Sequence, residues 1–436
     1  MKIQDIIEKY ISGDWGEGEI TSTNTNPVYC VRGADIEPIK RTDYDNIPLR
    51  YITSASFNNK RLQTGDIVVE KSGGSPTQST GRVCLITPEL IEQKRDIVCT
   101  NFCVAFRVKP EWDAEYVYLY MQYIYNAGVF FNFEGKTSGL RNLQLEQAFG
   151  AIDIPQISIA EQKKIASVIR TIDKKIAFNR AINRNLEALA KQIYDYWFVQ
   201  FDFPDENGKP YKSSGGKMVW NEQLKRKIPQ GWDVKKVKDY IEPVERGISY
   251  SSTEIASPQG IPMLNLACYS KQGEYRTGEL KFFSGKICDE NKVFPYEMFI
   301  ACTDMTQDAD VIGRPILATE EYDWFVYSMD LAKITPKNIA PMYLYYSLRT
   351  SFYHKYIKPF ASGTTVKHLK VRGVEDYIIT IPPTEIQNKF DKIALNGKKR
   401  QMQTINEIKN LMRQRDELLP LLLNGQVVVN SDLSKC

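Results

Sequence analysis

The longest regular pattern of apolar positions in the chain lies in residues 158–200. Small or apolar side chains, with two asparagines among them, recur there every three or four residues: Ile165, Val168, Ile172, Ile176, Asn179, Asn183, Leu186, Ala190, Ile193 and Trp197. This spacing predicts one long amphipathic helix. About 40 residues at about 1.5 Å each give a rod about 60 Å long. Because such a rod cannot bury its apolar stripe alone in water, it needs a partner.

A second stripe in the same phase follows 225 residues later in the chain. Its ten positions are Phe390, Ile393, Gly397, Gln401, Thr404, Ile408, Leu411, Arg415, Leu418 and Leu422. Gly397 costs this helix about 1 kcal/mol in propensity. We expect the two helices to pair, with Asn179 and Asn183 fixing the register against Thr404 and Gln401 or their neighbours. The alternative for either stripe is the core face of an ordinary helix.

The segment before each stripe predicts a mixed α/β domain. In the first, an aromatic helix-like stretch at 116–125 follows strand-like apolar runs at 26–31, 66–69, 83–86 and 102–108. The second repeats this plan, because Tyr343-Leu-Tyr345 matches Tyr118-Leu-Tyr120 and Ile381-Pro-Pro383 matches Ile154-Pro-Gln156. The chain therefore consists of a domain and a helix, twice.

The boundaries of this plan follow from the composition of the chain. The first domain takes 1–157, the first helix 158–203, a linker rich in Pro, Gly, Ser and Lys 204–234, the second domain 235–383, the second helix 384–424 and a tail 425–436.

Two loops in each domain are rich in basic and hydroxyl side chains. Small residues let a backbone approach a ligand closely, and amides with a few cations suit phosphates or base edges. We therefore predict that these loops bind DNA through Lys71, Ser72, Gly73, Gly74, Ser75, Gln78, Arg82, Lys136, Thr137, Ser138, Arg141, Asn142, Thr303, Asp304, Met305, Gln307, Arg314, Ser362, Thr364, Thr365, Lys367, His368 and Lys370. The alternatives are a solvated hairpin at 70–82, and ion pairs of Arg82 and Arg314 with carboxylates of their own domains.

The charge balance excludes a polybasic tail. Lys and Arg number 57 against 53 Asp and Glu, which gives a net charge of +4. Binding to nucleic acid would therefore depend on local patches or on partner proteins. Eight cysteines without a CxxC pair indicate thiols in a reducing cytoplasm. The start lacks a signal-type apolar core and no apolar run reaches 18 residues, so we expect a cytoplasmic protein without a membrane segment.

Catalytic chemistry is weakly represented. The two histidines, His354 and His368, have no companion typical of a metal site or an activated nucleophile. The segment 208–217 resembles a phosphate-binding loop, but Met218 stands where Ser or Thr is needed. A loose nuclease-like carboxylate pattern in 204–235 lacks the sheet context that it needs. We therefore predict no catalytic residue, no metal site and no cofactor on this chain.

The order of domains and helices resembles the specificity subunit of type I restriction–modification enzymes. So do the segments TSGLRNLQ at 137–144, IPQISIAEQKKIASVI at 154–169 and YDYWFVQFDFPDENGKPYKSSGGKMVWNEQLKRKIPQGW at 194–232. The second copy departs from the Ala-Glu-Gln pattern with Glu385-Ile-Gln387. The resemblance spans the whole chain.

This resemblance implies a fold of two target-recognition domains held apart by an antiparallel pair of long coiled-coil helices, with pseudo-twofold symmetry. The helix-pair seam would contain Ile165, Ile172, Ile176, Asn179, Asn183, Leu186, Ile193, Phe390, Ile393, Ile408, Leu411 and Leu418. In the family each domain reads one half of an interrupted, asymmetric sequence in double-stranded DNA.

The resemblance also implies partners. The helices would dock two adenine-methylating modification subunits, and restriction subunits would join that core. S-adenosylmethionine, ATP and Mg²⁺ are then expected only on those partners, and the chain itself performs no chemistry. Two other classes stay open from the residues alone: a stand-alone nuclease or methyltransferase, and a scaffold that binds only proteins.

Overall fold

The computed structural model describes residues 1–75, 78–137, 140–256, 259–270, 273–276, 278–306 and 308–429. The chain divides into two compact units. Unit 1 holds residues 1–179 with the described part of 407–436, and unit 2 holds residues 180–406. Each unit therefore combines one globular domain with segments of both long helices.

The domain of unit 1 is a mixed α/β structure, as predicted. Its strands are β1 Ile7–Ser12, β2 Asn24–Val31, β3 Leu49–Thr53, β4 Ile67–Glu70, β5 Ser72–Gly73, β6 Val83–Leu85, β7 Ile97–Cys99, β8 Cys103–Val108, β9 Glu134–Thr137 and β10 Leu140–Leu143. Its helices are α1 Ile36–Lys40, α2 Ser54–Lys60, α3 Pro88–Lys94, α4 Ala114–Asn126 and α5 Leu145–Ala151.

Strand β4 is the centre of the unit 1 domain, in a sheet of order β1-β8-β4-β6. All four of its residues are buried, and successive side chains face opposite sides of the sheet. Ile67 and Val69 pack with Tyr116 and Met121 of α4, whereas Val68 packs in a separate core on the other face. A second sheet, β3-β2-β7, joins β2 and β7 in parallel.

Helix α6, Ile159–Tyr194, begins in unit 1 at a capping box. The Ser158 hydroxyl accepts from the Glu161 amide at 3.3 Å, and the Glu161 carboxylate accepts from the Ser158 amide at 3.1 Å. This arrangement satisfies two donors at the helix start. The Ser158 hydroxyl also donates to this carboxylate at 2.7 Å, and this hydrogen bond, together with that from the Ser158 amide, lowers the pKa of Glu161. The helix ends in a π-helical turn, Asp195–Val199.

Unit 2 contains the second domain, which repeats the plan of the first. Its strands are β11 Met218–Asn221, β12 Arg226–Pro229, β13 Asp233–Lys236, β14 Glu245–Arg246, β15 Ile255–Ala256, β16 Ile261–Leu264, β17 Lys281–Phe283, β18 Met298–Ala301, β19 Thr303–Asp304, β20 Pro315–Leu317, β21 Val326–Tyr327, β22 Leu331–Ile334, β23 Ala361–Ser362, β24 Lys367–Leu369 and β25 Ile378–Ile381. Its helices are α7 Pro341–Ser347, α8 Ser351–Ile357, α9 Arg372–Glu375 and α10 Thr384–Leu423, which ends in unit 1.

The two domains share one topology. The sheet β14-β22-β18-β20 has the order of β1-β8-β4-β6, with the buried strand β18 in the place of β4. Strands β16 and β21 run parallel, as β2 and β7 do. The duplication inferred from the sequence is therefore a duplication of fold.

The segment predicted as a linker, 204–234, is folded instead. Strands β11 and β12 form an antiparallel hairpin. The ring of Phe203 stacks on Trp232 with centroids 5.2 Å apart, and Phe201 meets the same indole edge-on at 5.4 Å. These rings are buried in the main core of unit 2. The Pro and Gly content therefore marks turns between buried aromatic side chains within unit 2.

Candidate nucleic-acid interface and helix pair

The two predicted loops of the first domain meet in one small sheet. Its order is β5-β10-β9, with Ser72 opposite Asn142 and Gly73 opposite Arg141. The Leu143 amide donates to the Lys71 carbonyl at 2.8 Å, and a side-chain hydrogen bond joins Ser72 to Asn142. The three-stranded sheet thus brings together two basic, hydroxyl-rich segments that lie about 60 residues apart in the sequence.

The second domain builds the same sheet from its own loops. Its order is β19-β24-β23, with Thr303 opposite His368 and Asp304 opposite Lys367. The Leu369 amide donates to the Cys302 carbonyl at 2.9 Å, as Leu143 does to Lys71 in the first domain. We call these two sheets the reading sheets.

Several predicted side chains of the first domain are held inside it. Arg82 forms a bidentate ion pair with Glu70, with Nε–Oε2 at 2.8 Å and Nη2–Oε1 at 2.5 Å. The hydrogen bonds from Arg82 to Glu70 raise the pKa of Arg82. Arg141 pairs with Glu134 at 2.7 Å. Both arginines therefore organise the loops, which is the alternative that the sequence left open for Arg82.

The second domain also uses predicted side chains internally. The buried Asp304 carboxylate accepts from the amides of Thr306 and Val311, both at 2.7 Å. Arg314 Nε donates to the Asp310 carbonyl at 2.7 Å, and its Nη2 lies 3.1 Å from His354 Nδ1. Burial and then the Arg314 charge lower the pKa of His354, which keeps this imidazole neutral at pH 7.

The remaining predicted residues lie at or near the surface of the reading sheets. The exposed positions are Lys71, Gly74, Gln78, Met305, Ser362, Thr364, Thr365, His368 and Lys370, and Ser75 is half-buried. Half-buried positions are Ser72, Gly73, Asn142 and Lys367, and Thr303 is buried, with its hydroxyl on Asp330 at 2.7 Å. Lys136 and Thr137 belong to β9, whereas Ser138 and Gln307 lie outside the described residues.

A cleft of about 750 Å³ beside the first reading sheet contains residues that the sequence analysis missed. It is lined by Lys71 together with Tyr10, Asn101, Gln144 and Gln147. These side chains come from separate elements, so no local pattern in the sequence connects them.

The long helices run antiparallel in unit 1. Arg415 Nη1 donates to Asp173 Oδ1 at 3.0 Å, and Asn179 Nδ2 donates to Glu407 Oε2 at 2.9 Å. Lys175 adds an ion pair to Glu407 at 2.6 Å. The partner of Asn179 is therefore Glu407, about one helical turn beyond Thr404.

Unit 2 shows the same antiparallel pairing and the predicted partners of Asn183. Gln401 Nε2 donates to the Asn183 carbonyl at 2.8 Å, and the Thr404 hydroxyl donates to Asn183 Oδ1. Next along the pair, Glu187 forms ion pairs with Lys398 and with Arg349, the latter at 3.2 Å. Polar groups therefore fix the register of both segments.

Most positions of the predicted seam are buried or half-buried. Ile165, Ile176, Asn179 and Phe390 are buried, and Ile172, Asn183, Leu186, Ile193, Ile408, Leu411 and Leu418 are half-buried. The exception is Ile393, which is 43% exposed, whereas Ala394 is 1% exposed. The 3.6-residue turn places Ala394, four residues after Phe390, on the inner face.

The starts of the two helices are equivalent. Gln162 accepts from the Asp113 amide at 2.8 Å and donates to the Ile157 carbonyl at 2.9 Å. Gln387 accepts from the Ala340 amide at 3.1 Å and donates to the Pro382 carbonyl at 2.7 Å. Both amides are buried, so the glutamine is the member of the Ala-Glu-Gln pattern that the fold requires.

Among the described residues, no group of three or more His, Cys, Asp and Glu side chains could hold a metal ion. Within the same part of the chain, no helix has the length and apolar character needed to cross a membrane.

Duplicated α/β domains, two equivalent reading sheets and two long paired helices define the class of protein. The family described as "Type I restriction modification DNA specificity domain" matches residues 1–188 and 229–410. Because these matches cover well over half of the 436 residues, the chain belongs to this family.

Individual relatives agree with this assignment. The type I restriction enzyme MjaIX specificity subunit of Methanocaldococcus jannaschii is 28% identical over 285 residues, which cover 64% of this chain and 61% of that subunit. The HindI specificity subunit of Haemophilus influenzae is 26% identical over 315 residues, which cover 61% of this chain and 67% of that subunit.

A solved structure has the same fold. The crystal structure of a type I restriction-modification system S subunit from M. genitalium is similar with a TM-score of 0.57 and 15% identity. The similarity covers 97% of this chain and 95% of that one.

Proposed function

We propose that this chain is the non-catalytic specificity subunit of a type I restriction–modification enzyme. Each domain reads one half of a bipartite, asymmetric target in double-stranded DNA through its reading sheet. The paired helices dock two adenine-methyltransferase subunits, and restriction subunits join that core.

The observation that carries this proposal is the presence of one frame with different loop residues in the two domains. Equivalent backbone hydrogen bonds join Leu143 to Lys71 and Leu369 to Cys302. The exposed side chains at and beside the two sheets differ in chemistry: Lys71 and Gln78 in one domain, Met305 and His368 in the other. A conserved frame with changed side chains suits two readers of different base sequences, since base edges are read by side-chain pattern.

The proposal is tested by mapping methylation. The chain is coexpressed with its modification subunit in a host without adenine methylation, and methylated adenines are located by single-molecule sequencing. We expect one interrupted, asymmetric target, and no methylation when either subunit is omitted. Methylation by the chain alone would show that the chain is itself an enzyme. A second variant replaces residues 235–383 by the equivalent domain of another family member. If its target were unchanged, the assignment of one half-site to that domain would be refuted.

A further inference from the structure

The turn at residues 100–102, between β7 and β8, is fixed to the first reading sheet through its backbone. The amides of Lys71 and Ser72 both donate to the Phe102 carbonyl, at 2.8 and 3.0 Å. The Cys103 amide donates to the Thr100 carbonyl at 2.9 Å and closes the turn. The position of this turn relative to the first reading sheet is therefore set by two hydrogen bonds.

Two adjacent side chains on this turn point to base recognition. Asn101 is exposed and lines the cleft beside the reading sheet together with Lys71 and Gln144. The Phe102 ring is 58% exposed, although the transfer of a phenyl ring out of water is favourable. In the major groove, an Asn amide matches the N6 and N7 atoms of adenine, and an apolar side chain contacts the methyl group of thymine.

We propose that Asn101 and Phe102 read one or two neighbouring A·T pairs in the half-site of the first domain. This inference rests on the proposed function and adds two specificity-determining residues to it. Asn101 makes the bidentate contact with adenine, Phe102 covers the thymine methyl group, and Lys71 is placed to contact the backbone phosphates.

The equivalent turn of the second domain carries different chemistry. The Cys302 amide donates to the Asp330 carbonyl at 2.7 Å, as Lys71 does to Phe102. Asp330 and the 49% exposed Met329 therefore occupy the positions of Phe102 and Asn101. The thioether of Met329, in the position of Asn101, has no donor for adenine N7. The Asp330 carboxylate, in the position of Phe102, is polar and accepts from the Thr303 hydroxyl at 2.7 Å. The A·T reading is thus assigned to the first domain alone.

The test uses the full chain with its modification subunit and duplexes that carry the target found by methylation mapping. Each adenine is replaced in turn by 7-deazaadenine, which lacks the N7 acceptor, and each thymine by deoxyuridine, which lacks the methyl group. We expect the wild-type complex to lose about 5- to 150-fold in affinity at one adenine and about fourfold at one thymine of the same half-site.

The variants assign these losses to their residues. Asn101→Ala should bind the normal and the 7-deazaadenine duplex equally, and Phe102→Ala should bind the thymine and the deoxyuridine duplex equally. Ile20→Ala, which truncates a 65% exposed side chain of the same domain, should keep both wild-type sensitivities. All three positions are at the surface, so each variant should keep the fold. Thermal unfolding of each variant checks this.

Three outcomes overturn the inference. Asn101→Ala could stay sensitive to 7-deazaadenine at the same position, or could weaken binding to every sequence equally, as a phosphate contact would. Phe102→Ala could weaken binding without any dependence on the thymine methyl group, as an intercalating wedge would. A wild-type complex that binds all sequences equally overturns the proposed function as well, so the two failures are distinguishable.

Discussion

Glu70 is buried at the end of the central strand β4, and its charge is balanced by Arg82. The carboxylate side chain is 4% exposed and the guanidinium side chain 16%. Gly73 allows β5 to pass close by, because a Cβ there would lie 2.7 Å from Glu70 Oε1, and its φ of +152° is unfavourable for other residues. At the scale of single residues, this buried ion pair therefore lies directly against β5 of the first reading sheet.

This pair predicts the effect of Arg82→Ala. The substitution leaves a buried carboxylate without a partner, and we expect a loss of about 3–5 kcal/mol in the free energy of unfolding. The measurement is urea unfolding of the full chain at pH 7. The matched control is Arg372→Ala, which removes an exposed pair with Asp376 and should cost less than about 1 kcal/mol. An Arg82→Ala variant of wild-type stability that binds DNA poorly would instead make Arg82 a reading residue.

Glu187 connects the two long helices to Arg349, which follows α7, in unit 2. Burial would raise the pKa of Glu187, but the charges of Lys398 and Arg349 outweigh it and hold the pKa below the usual 4.5. A carboxylate with a lowered folded-state pKa stabilises the fold above its unfolded pKa of about 4.3, and this contribution is lost as the pH falls through the lower value.

Glu187→Gln should therefore be less stable than the wild type at pH 7. The difference in unfolding free energy should shrink as the pH falls below about 4.3, because the unfolded wild type is protonated first and the folded carboxylate only at lower pH. Urea titrations at several pH values between 3 and 7 measure this difference. Glu385→Gln, on an exposed i,i+4 pair of α10, is the control that should show little difference at any pH. A difference in unfolding free energy between the wild type and Glu187→Gln that does not change with pH would contradict the lowered pKa of Glu187.

At the scale of the helix pair, we expect substitutions in the seam and on the outer face to have different effects on stability. Ile176 is 3% exposed, so Ile176→Asp buries a charge and should destabilise the chain by about 3–5 kcal/mol. Phe178, two residues on, is 66% exposed, so Phe178→Asp should change stability by less than about 0.5 kcal/mol.

If the outer face docks a modification subunit, Phe178→Asp should weaken that complex at least tenfold. Analytical ultracentrifugation of the coexpressed subunits measures the assembly, and circular dichroism verifies that the variant is folded. Wild-type assembly of Phe178→Asp would place the docking surface elsewhere on the chain.

At the scale of the whole molecule, each unit closes its core with the end of one long helix. In unit 1, Leu419 and Leu423 of α10 are buried with Ile165 at the start of α6. In unit 2, Tyr194 and Phe198 are buried with Phe390 at the start of α10. The positions correspond across the duplication, so the end of α6 is chemically suited to replace the end of α10.

A fragment of residues 1–203 should therefore form a homodimer. Each copy lacks Leu419 and Leu423, and the partner copy supplies Tyr194 and Phe198 in their place. With the modification subunit, the dimer should methylate an inverted repeat of the first half-site, because twofold protein symmetry implies a palindromic target. Light scattering gives the mass and sequencing of methylated DNA gives the target. A monomeric fragment, or one that methylates the asymmetric target of the full chain, would contradict this prediction.

The sequence by itself determined the features that arise from local periodicity. Side chains spaced by three and four residues specify an amphipathic helix, so the sequence predicted both α6 and α10, although Ile393 is exposed and Ala394 is buried. The repeat of motifs at an offset of 225 residues determined the duplication of fold. The polar members of the seam, Asn183 with Gln401 and Thr404, followed from the antiparallel register.

Only the tertiary structure decided which distant segments meet. The pairing of β5 with β10, the ion pair of Arg82 with Glu70 and the exposed turn at Asn101 depend on contacts between residues far apart in sequence. A basic residue in a polar loop is equally compatible with a phosphate, a base or a carboxylate of its own domain, and the choice is made by the side chains that folding brings within hydrogen-bonding distance. For the same reason the composition of the segment 204–234 indicates a linker, whereas the structure places aromatic rings of this segment in the core of unit 2.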